Sequence, residues 1–258
     1  AEVVQVRNDF VVTIGERHGL WRATVTVRGS EGETLTEIER LQVGRSTGGR
    51  LQRIDAFHEA AMDAAVACLL ERWAEDELSG SAQARAMRFA AGCTVARTIN
   101  ERDWEAYAER FEAGAVLVDH RTTGFEIRGR SGVTDWVREL VASADDVQVH
   151  LQDVLALTPD AVLWRSETVG RVGGGDIAMP SLIAFRVGAT GRFDRLEFFT
   201  VEDADAARGC FERFATVPRR RVVPNAASEL IDRWADAFNR QDLDAANALR
   251  AAGYERRD

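Results

Sequence analysis

The chain has 258 residues, with 33 basic side chains, 42 acidic ones and a formal net charge of −9. All of the basic residues are arginine, a bias of GC-rich coding, and the acidic balance excludes the strongly basic face of a nucleic-acid-binding protein. No apolar run approaches the roughly 18 residues of a membrane span, and three cysteines without close pairing predict a reducing, cytoplasmic setting in a bacterium.

The predicted elements follow from hydrophobic periodicity. Residues 3–74 read as four strands and a helix, and a polar linker covers 75–83. A helix over 84–99 comes next, then a helix capped by Asp103, a strand over 115–119 and a helix capped by Ser131. Four strands at hairpin spacing and a helix complete this part of the chain: 147–157, 162–170, 176–187, 192–201 and 202–214. Helices placed before an antiparallel sheet predict an α+β fold.

The chain also repeats itself. Residues 19–74 match 162–215 at an offset of 142 to 143, so that Trp21 aligns with Trp164 and Cys68 aligns with Cys210. Ile99–Phe111 match Phe238–Arg250 at an offset of 139, where Asp119 answers Asp258. The repeat of about 140 residues predicts three parts of a longer multidomain protein: 1–75 as the second half of one unit, 82–217 as a whole unit, and 225–258 as the first helices of another. The two ends are expected to close into an incomplete second unit within one chain, or to pair between chains.

The order of elements, with the stretch INERDWEAYAERFEAGAVLVDH (residues 99–120) and the helix start GRSGVTDWV (129–137), resembles the nuclear transport factor 2-like superfamily. This superfamily includes ketosteroid isomerase, SnoaL-like polyketide cyclases and scytalone dehydratase. The resemblance implies a cone in which a curved antiparallel sheet wraps three helices around one deep apolar pocket. It says little about function, because one scaffold carries many different sites.

The resemblance places the general base of ketosteroid isomerase on Asp119, its oxyanion-hole tyrosine on Val95 and its protonated aspartate near Ile183. Neither Val95 nor Ile183 can donate a hydrogen bond to a developing oxyanion, so steroid isomerisation by that mechanism is not expected. Asp119 is left as a candidate base, a ligand anchor or the partner of Arg165 in an internal ion pair. The expected pocket lining consists of these residues: Trp104, Phe111, Trp136, Arg165, Glu167, Ile183, Phe185 and Phe198.

Alternation along a strand sends His120 to the face opposite Asp119, so the two are not expected to form a dyad. The same alternation places Trp21 and Trp164 on the outer face of the sheet, where they are expected to mediate self-association. No His, Cys or carboxylate set has metal-ligand spacing, so neither a metal nor another cofactor is predicted.

Three functions remain open. The favoured one is a non-catalytic or regulatory module whose pocket binds a small apolar or amphipathic molecule. The alternative is an isomerase, cyclase or dehydratase that uses Asp119 as its base. A pure association domain would have its pocket filled by its own aromatic side chains. Neither nucleic acid nor a membrane is an expected partner.

Overall fold

The computed structural model describes residues 3–121, 124–216 and 224–257, which divide into two compact units. Unit 1 holds residues 3–73 together with 224–257, and unit 2 holds residues 74–216. Both ends of the chain therefore lie in unit 1. The arginine triplet of the second linker, residues 219–221, lies outside the described residues.

Unit 1 is built on a five-stranded sheet in the order β1-β2-β3-β4-β11. Strands β1 to β4 pair as antiparallel neighbours, while β11 runs parallel to β4. The strands are Val3–Ile14 (β1), His18–Arg28 (β2), Thr34–Thr47 (β3), Arg50–His58 (β4) and Arg250–Arg257 (β11). The helices are Met62–Glu77 (α1), which crosses the division between the units, Ala226–Asn239 (α7) and Leu243–Ala248 (α8).

Unit 2 is built on a six-stranded sheet in the order β6-β5-β10-β9-β8-β7, in which β5 and β10 pair in parallel and the other described neighbours pair as antiparallel strands. The strands are Phe111–Asp119 (β5), Phe125–Arg128 (β6), Asp145–Thr158 (β7), Ala161–Val172 (β8), Gly175–Val187 (β9) and Phe193–Phe199 (β10). The helices are Gly80–Cys93 (α2), Val95–Asn100 (α3), Trp104–Glu109 (α4), Arg130–Ala142 (α5) and Ala204–Phe214 (α6). The predicted α+β class is confirmed.

The observed boundaries correct the predicted ones in three places. The helix predicted over 84–99 breaks at Thr94, whose hydroxyl donates to the carbonyl of Ala91 (2.8 Å) in place of continuing the helix. The third helix begins at Arg130 after Gly129, which has φ +84°, so Ser131 is not its cap. Strand β6 was not predicted. The cap at Asp103 is confirmed, because its carboxylate accepts from the Ala106 N–H (3.0 Å).

The internal repeat appears in the structure as matching hydrogen bonds. The side-chain amide of Asn100 donates to the Val149 carbonyl (2.9 Å) and accepts from the Val149 N–H (2.8 Å). Asn239, at the repeat position, makes the same two bonds with Val6, both at 2.8 Å. In each unit, therefore, one asparagine ties the end of a helix to a strand of the sheet.

The sheet of unit 2 has two faces with different roles. Alternate residues of β8 and β9, among them Leu163, Leu182 and Ala184, pack under α6 with Cys210 and Phe211. The opposite face turns toward α3 and α5 and encloses a cavity. None of the helices in the described parts of the chain has the length and apolar content needed to cross a membrane.

Candidate functional site

The cavity of unit 2 has a volume of about 100 Å³ and lies between the inner face of the sheet and helices α3, α4 and α5. Its walls are mostly apolar. The lining residues are Val95, Ala96, Ile99, Tyr107, Arg121, Trp136, Val137, Leu140, Val141, Val147, Val149, Leu151, Ser166, Thr168, Met179, Ser181, Ile183, Phe185, Leu196 and Phe198.

Two periodicities build these walls. Helix α5 presents Trp136, Val137, Leu140 and Val141 on one side because residues three and four apart share a helix face. Each strand contributes every second residue, as β9 does over the range 179–185. Of the residues expected to line the pocket, the structure places Trp136, Ile183, Phe185 and Phe198 along it.

The charged end of the cavity is formed by Arg121, which follows the end of β5. Its guanidinium binds both carboxylate oxygens of Asp119, with Nε 2.9 Å from Oδ1 and Nη2 2.6 Å from Oδ2. The Arg121 backbone N–H also donates to Asp119 (2.9 Å), and Nη1 donates to the hydroxyl of Ser181 (3.2 Å). The guanidinium lies 5.2 Å from the ring centre of Phe198. Arg121 thus presents a donor group to the cavity while its charge is neutralised by Asp119.

The pairing determines the protonation of Asp119, which is only 5% exposed. Burial by itself would raise the pKa of this carboxyl, but the hydrogen bonds and charge of Arg121 outweigh burial and hold the pKa below its usual value. Asp119 is therefore ionised at neutral pH and already occupied by a bidentate partner. Both features make it a weak proton acceptor.

The expected ion pair between Asp119 and Arg165 is wrong, and so is the placement of Arg165 and Glu167 in the pocket. Arg165 is exposed, and Glu167 accepts a hydrogen bond from Gln152 (2.9 Å) outside the cavity. The neighbouring residue Ser166 lines the cavity, so the alternation of β8 is shifted by one residue from the predicted one.

The same shift of one residue also changes the face of the sheet on which the two repeated tryptophans lie. Trp164 is fully buried on the inner side of β8, and Trp21 is 1% exposed within the core of unit 1. The expected self-association surface at these residues is therefore wrong, because neither ring is accessible. The Trp21 indole donates to Gln42 (3.0 Å), whereas Trp164 faces Ile183, and its indole N–H finds no hydrogen-bond partner in the described parts of the chain.

Two other residues expected in the pocket lie elsewhere. Phe111 is fully buried between Tyr107 and Phe193 in the core, and the ring of Trp104 lies under the Arg138 guanidinium at 5.5 Å. The helix face that reaches the cavity is that of Tyr107, whose pKa burial raises. Tyr107 lies three positions after Trp104, and it would have been found if the buried side of this short helix had been predicted correctly.

A second polar cluster, which the sequence reasoning did not find, lies on the outer face of the sheet. Glu197 is 4% exposed and binds Arg195 (2.5 Å) and His120 (2.8 Å), while the His120 ring stacks on Phe199. Burial opposes ionisation of Glu197, but its hydrogen bonds to Arg195, His120 and Cys210 lower its pKa. Burial and Glu197 raise the pKa of the Cys210 thiol to about 12.

This outer cluster recurs in unit 1. Asp55 binds Arg53 with both oxygens, at 2.7 to 3.1 Å, and burial followed by the charge of Asp55 raises the pKa of Cys68 to about 12. A buried acid, an arginine two residues before it and a protonated thiol therefore form a repeated structural unit. Both thiols are poor nucleophiles. The described residues contain no group of His, Cys and carboxylate side chains that could hold a metal ion.

No protein-family model and no curated protein matches the sequence of this chain. Solved structures do match, and the three described next each match less than half of the chain. A protein with a ketosteroid isomerase-like fold from Catenulispora acidiphila, in complex with trimethylamine, is 19% identical and covers 46% of this chain and 92% of its own, with a TM-score of 0.38. SalBIII, an epoxide hydrolase/cyclase-like enzyme of pyran ring formation in salinomycin, is 16% identical and covers 43% and 88%, with a TM-score of 0.38.

A Mycobacterium tuberculosis protein in complex with estradiol-17beta-hemisuccinate is 15% identical and covers 43% of this chain and 92% of its own, with a TM-score of 0.39. Ketosteroid isomerase-like and cyclase-like proteins are the groups that the sequence resemblance names. At these identities and scores, the matches assign no function to this chain, and its own residues have to carry that inference.

Proposed function

We propose that unit 2 is a non-catalytic binding module whose cavity takes a small, largely apolar molecule. The observation that carries this proposal is an enclosed apolar cavity in which Arg121, the one charged residue among the described lining residues, is already neutralised by Asp119. Such a site is suited to hold a neutral ligand with one hydrogen-bond acceptor. A cavity that the protein's own side chains leave unfilled also favours binding over a pure association domain, in which aromatic side chains would fill it.

The size of the cavity limits the ligand. Apolar cavities of about 150 Å³ take up benzene, and drug-sized ligands occupy about 300–1,000 Å³. At about 100 Å³, the cavity of unit 2 fits a compact molecule no larger than a single small ring. A steroid-sized ligand would require the walls to move.

The polar groups of the cavity indicate how such a molecule would be oriented. Arg121 and the hydroxyls of Ser166, Thr168 and Ser181 lie among otherwise apolar lining residues. A carbonyl or hydroxyl oxygen of the ligand would face Arg121, and its carbon atoms would contact Trp136 and Val149.

The alternative function is an isomerase, cyclase or dehydratase with Asp119 as the base. Asp119 would first have to leave Arg121, and Val95 and Ile183 provide no donor to an oxyanion, an interaction worth about 3–4 kcal/mol per donor in acyl-transfer enzymes. These costs favour the binding role. The repetition of related units in one chain suits a regulatory module of a longer protein. The three free thiols suit a cytoplasmic setting.

The test uses the whole chain and two probes of suitable size, cyclopentanone and benzene. Saturable shifts of the amide resonances of Val149, Ser166 and Ile183 are expected with both probes. Val149→Phe, which fills the cavity, should weaken binding at least tenfold. The matched control is His150→Phe, because His150 is exposed on the opposite face of the same strand.

Equal binding by Val149→Phe and wild type, or shifts confined to other residues, would contradict the proposal. An Asp119→Asn variant separates the alternative. If the chain turns over a small ketone or alcohol and this variant loses that turnover while still binding cyclopentanone, the enzymatic function is the correct one.

A further inference from the structure

Unit 1 contains a cavity of its own, with a volume of about 310 Å³, formed by residues of the sheet, α7 and β11. It is about three times the size of the cavity in unit 2 and falls in the range that small ligands occupy. Six of its lining residues matter for the chemistry of a ligand: Asn8, Arg40, Gln42, Trp234, Arg250 and Tyr254.

The cavity is cationic. Arg40 and Arg250 line it, and neither guanidinium has a carboxylate partner among the described residues: Arg40 donates to the Glu39 carbonyl and Arg250 to the Asn247 side chain. Arg256 also lines the cavity, whereas no acidic residue of the described chain does. No acidic residue in the described walls of the cavity therefore balances the charges of Arg40 and Arg250.

The cavity also has spare hydrogen-bond donors. The Asn8 side-chain nitrogen, the Trp234 indole nitrogen and the Arg250 Nε are buried and have no hydrogen-bond partner among the described residues. Gln42 uses its oxygen to accept from Trp21, and its amide N–H groups are then available to donate. Unsatisfied buried donors in one cavity point to a ligand that brings acceptors.

Two aromatic residues, Trp234 and Tyr254, line the same cavity. The Arg250 guanidinium lies 5.7 Å from the ring centre of Trp234 and 5.1 Å from that of Tyr254. The two rings hold the cation in position and present flat apolar surface beside it. A planar apolar group next to an anionic group matches this arrangement.

The repeat shows that this chemistry is specific to unit 1. In unit 1, Ala23 of the central strand pairs with Asn8 on one side and with Arg40 on the other. In unit 2, Ser166 takes the place of Ala23 and pairs with Leu151 and Ser181. Gln42 likewise corresponds to Ile183. Arg250 of the parallel strand pairs with Leu51 in unit 1, and Phe111 takes its place in unit 2, where it pairs with Phe193. The repeat offset of 139 residues puts Trp234 at the position of Val95. Positions that are neutral or apolar in unit 2 are thus occupied by nitrogen donors in unit 1.

One wall of the unit 2 cavity, helix α5, has no counterpart among the described residues of unit 1. The lining residue Ile38 of the unit 1 cavity is 44% exposed, so the cavity reaches the surface beside this residue.

We propose that the cavity of unit 1 binds a small aromatic carboxylate, with the carboxylate toward Arg40 and Arg250 and the ring against Trp234 and Tyr254. This site is separate from the cavity of unit 2 and does not depend on the function proposed for it. The carboxylate accepts from the guanidinium groups and from the amides of Asn8 and Gln42.

The test compares two probes of equal shape on the whole chain, 2-naphthoate and its uncharged amide, 2-naphthamide. Titrations followed by tryptophan fluorescence and by amide shifts of β3 should show naphthoate binding at least tenfold more tightly than naphthamide. Arg40→Gln, which changes an exposed side chain, should reduce that preference to about threefold or less. The matched control is Arg7→Gln, which removes the same charge from a side chain of β1 that is 70% exposed and away from the cavity.

Arg250→Gln provides a second variant, used with a thermal melt because Arg250 packs on two rings. Equal affinities for the two probes would overturn the proposal. So would an unchanged preference in Arg40→Gln, or the same loss in Arg7→Gln. Loss of naphthoate binding in Val149→Phe would place the probe in unit 2. A dimer that protects β3 and excludes naphthoate would show that a second copy, rather than a carboxylate, covers the cavity.

Discussion

At the scale of single residues, the arrangement around Asp119 depends on a partner two positions away. Asp119 ends β5, and its carboxylate accepts from both the backbone N–H and the guanidinium of Arg121, so a bidentate pair forms locally in the bend after the strand without help from another strand. The predicted partner, Arg165, was chosen across the sheet and lies on the wrong face. Aspartate side chains commonly bond the residue two positions later in an Asx turn, and this local rule would have pointed to Arg121 from the sequence.

We expect the ion pair of Asp119 and Arg121 to make the free energy of unfolding depend on pH. Asp119→Asn should lower the free energy of unfolding at pH 7 by about 1–2 kcal/mol, because Arg121 keeps its charge but loses its anionic partner. The pKa of Asp119 is depressed in the folded state, so its stabilising effect is present above the unfolded value of about 3.9 and is lost as the pH falls through the lower folded value. Urea titrations from pH 7 to pH 3 measure this difference.

The control for that experiment is Asp135→Asn, which removes an exposed partner of Arg138. Its effect should stay below about 0.5 kcal/mol at every pH, because exposed ion pairs contribute little. A difference between wild type and Asp119→Asn that did not shrink in acid would contradict the assigned pairing.

At the scale of elements, the asparagine clamp explains how the end of a helix is fixed to a sheet twice in one chain, at the end of α3 and at the end of α7. Asn100 and Asn239 each satisfy one backbone N–H and one carbonyl of a strand that lies far away in sequence. A side-chain amide can do this because it carries a donor and an acceptor side by side. The residues that follow, Arg102 and Gln241, share a positive φ of 60° and 61°, so the turn after the clamp is also repeated.

We expect Asn100→Ala and Asn239→Ala each to lower the free energy of unfolding by about 1–2 kcal/mol, since two backbone groups lose their partner. Chemical denaturation with linear extrapolation measures the effect. Gln152→Ala, which removes an exposed hydrogen bond to Glu167, should change it by less than about 0.5 kcal/mol. If the clamp variants matched this control, the two asparagines would not be structural determinants.

At the scale of the molecule, the two units differ in completeness. Unit 2 has five helices assigned wholly to it and encloses a cavity of about 100 Å³. The described part of unit 1 has no equivalent of α5 and contains a cavity of about 310 Å³. Less of its inner face is packed, so its local unfolding should be easier.

Hydrogen exchange tests this difference directly. Peptides from β1 to β4 should exchange faster than peptides from β7 to β10 once the rates are corrected for sequence. Saturating naphthoate should slow exchange in unit 1 more than in unit 2, because a ligand stabilises the state that binds it. Equal protection of the two sheets in the free protein would show that the missing wall does not weaken unit 1.

The sequence was informative about the elements because their signals are local. Periodicity and hairpin spacing located β7 to β10, and the Asp103 cap located the start of α4. Strand β6 was not predicted because apolar and polar residues alternate over only four positions in Phe125–Arg128, which is too short a pattern to distinguish from a loop. The pocket side of β8 was misjudged because a shift of one residue exchanges the two faces of a strand.

The sequence alone determined the class of fold and the repeat, since both follow from patterns that can be read along the chain: apolar spacing, caps and matching residues at offsets of 139 to 143. Only the tertiary structure decided which residues meet. It turned Trp164 inward and Arg165 outward, paired Asp119 with Arg121, and assembled a cationic cavity from Asn8, Arg40 and Arg250. The physical reason is that burial and charge pairing depend on strand register and on distances between remote segments, and neither quantity is written in local sequence.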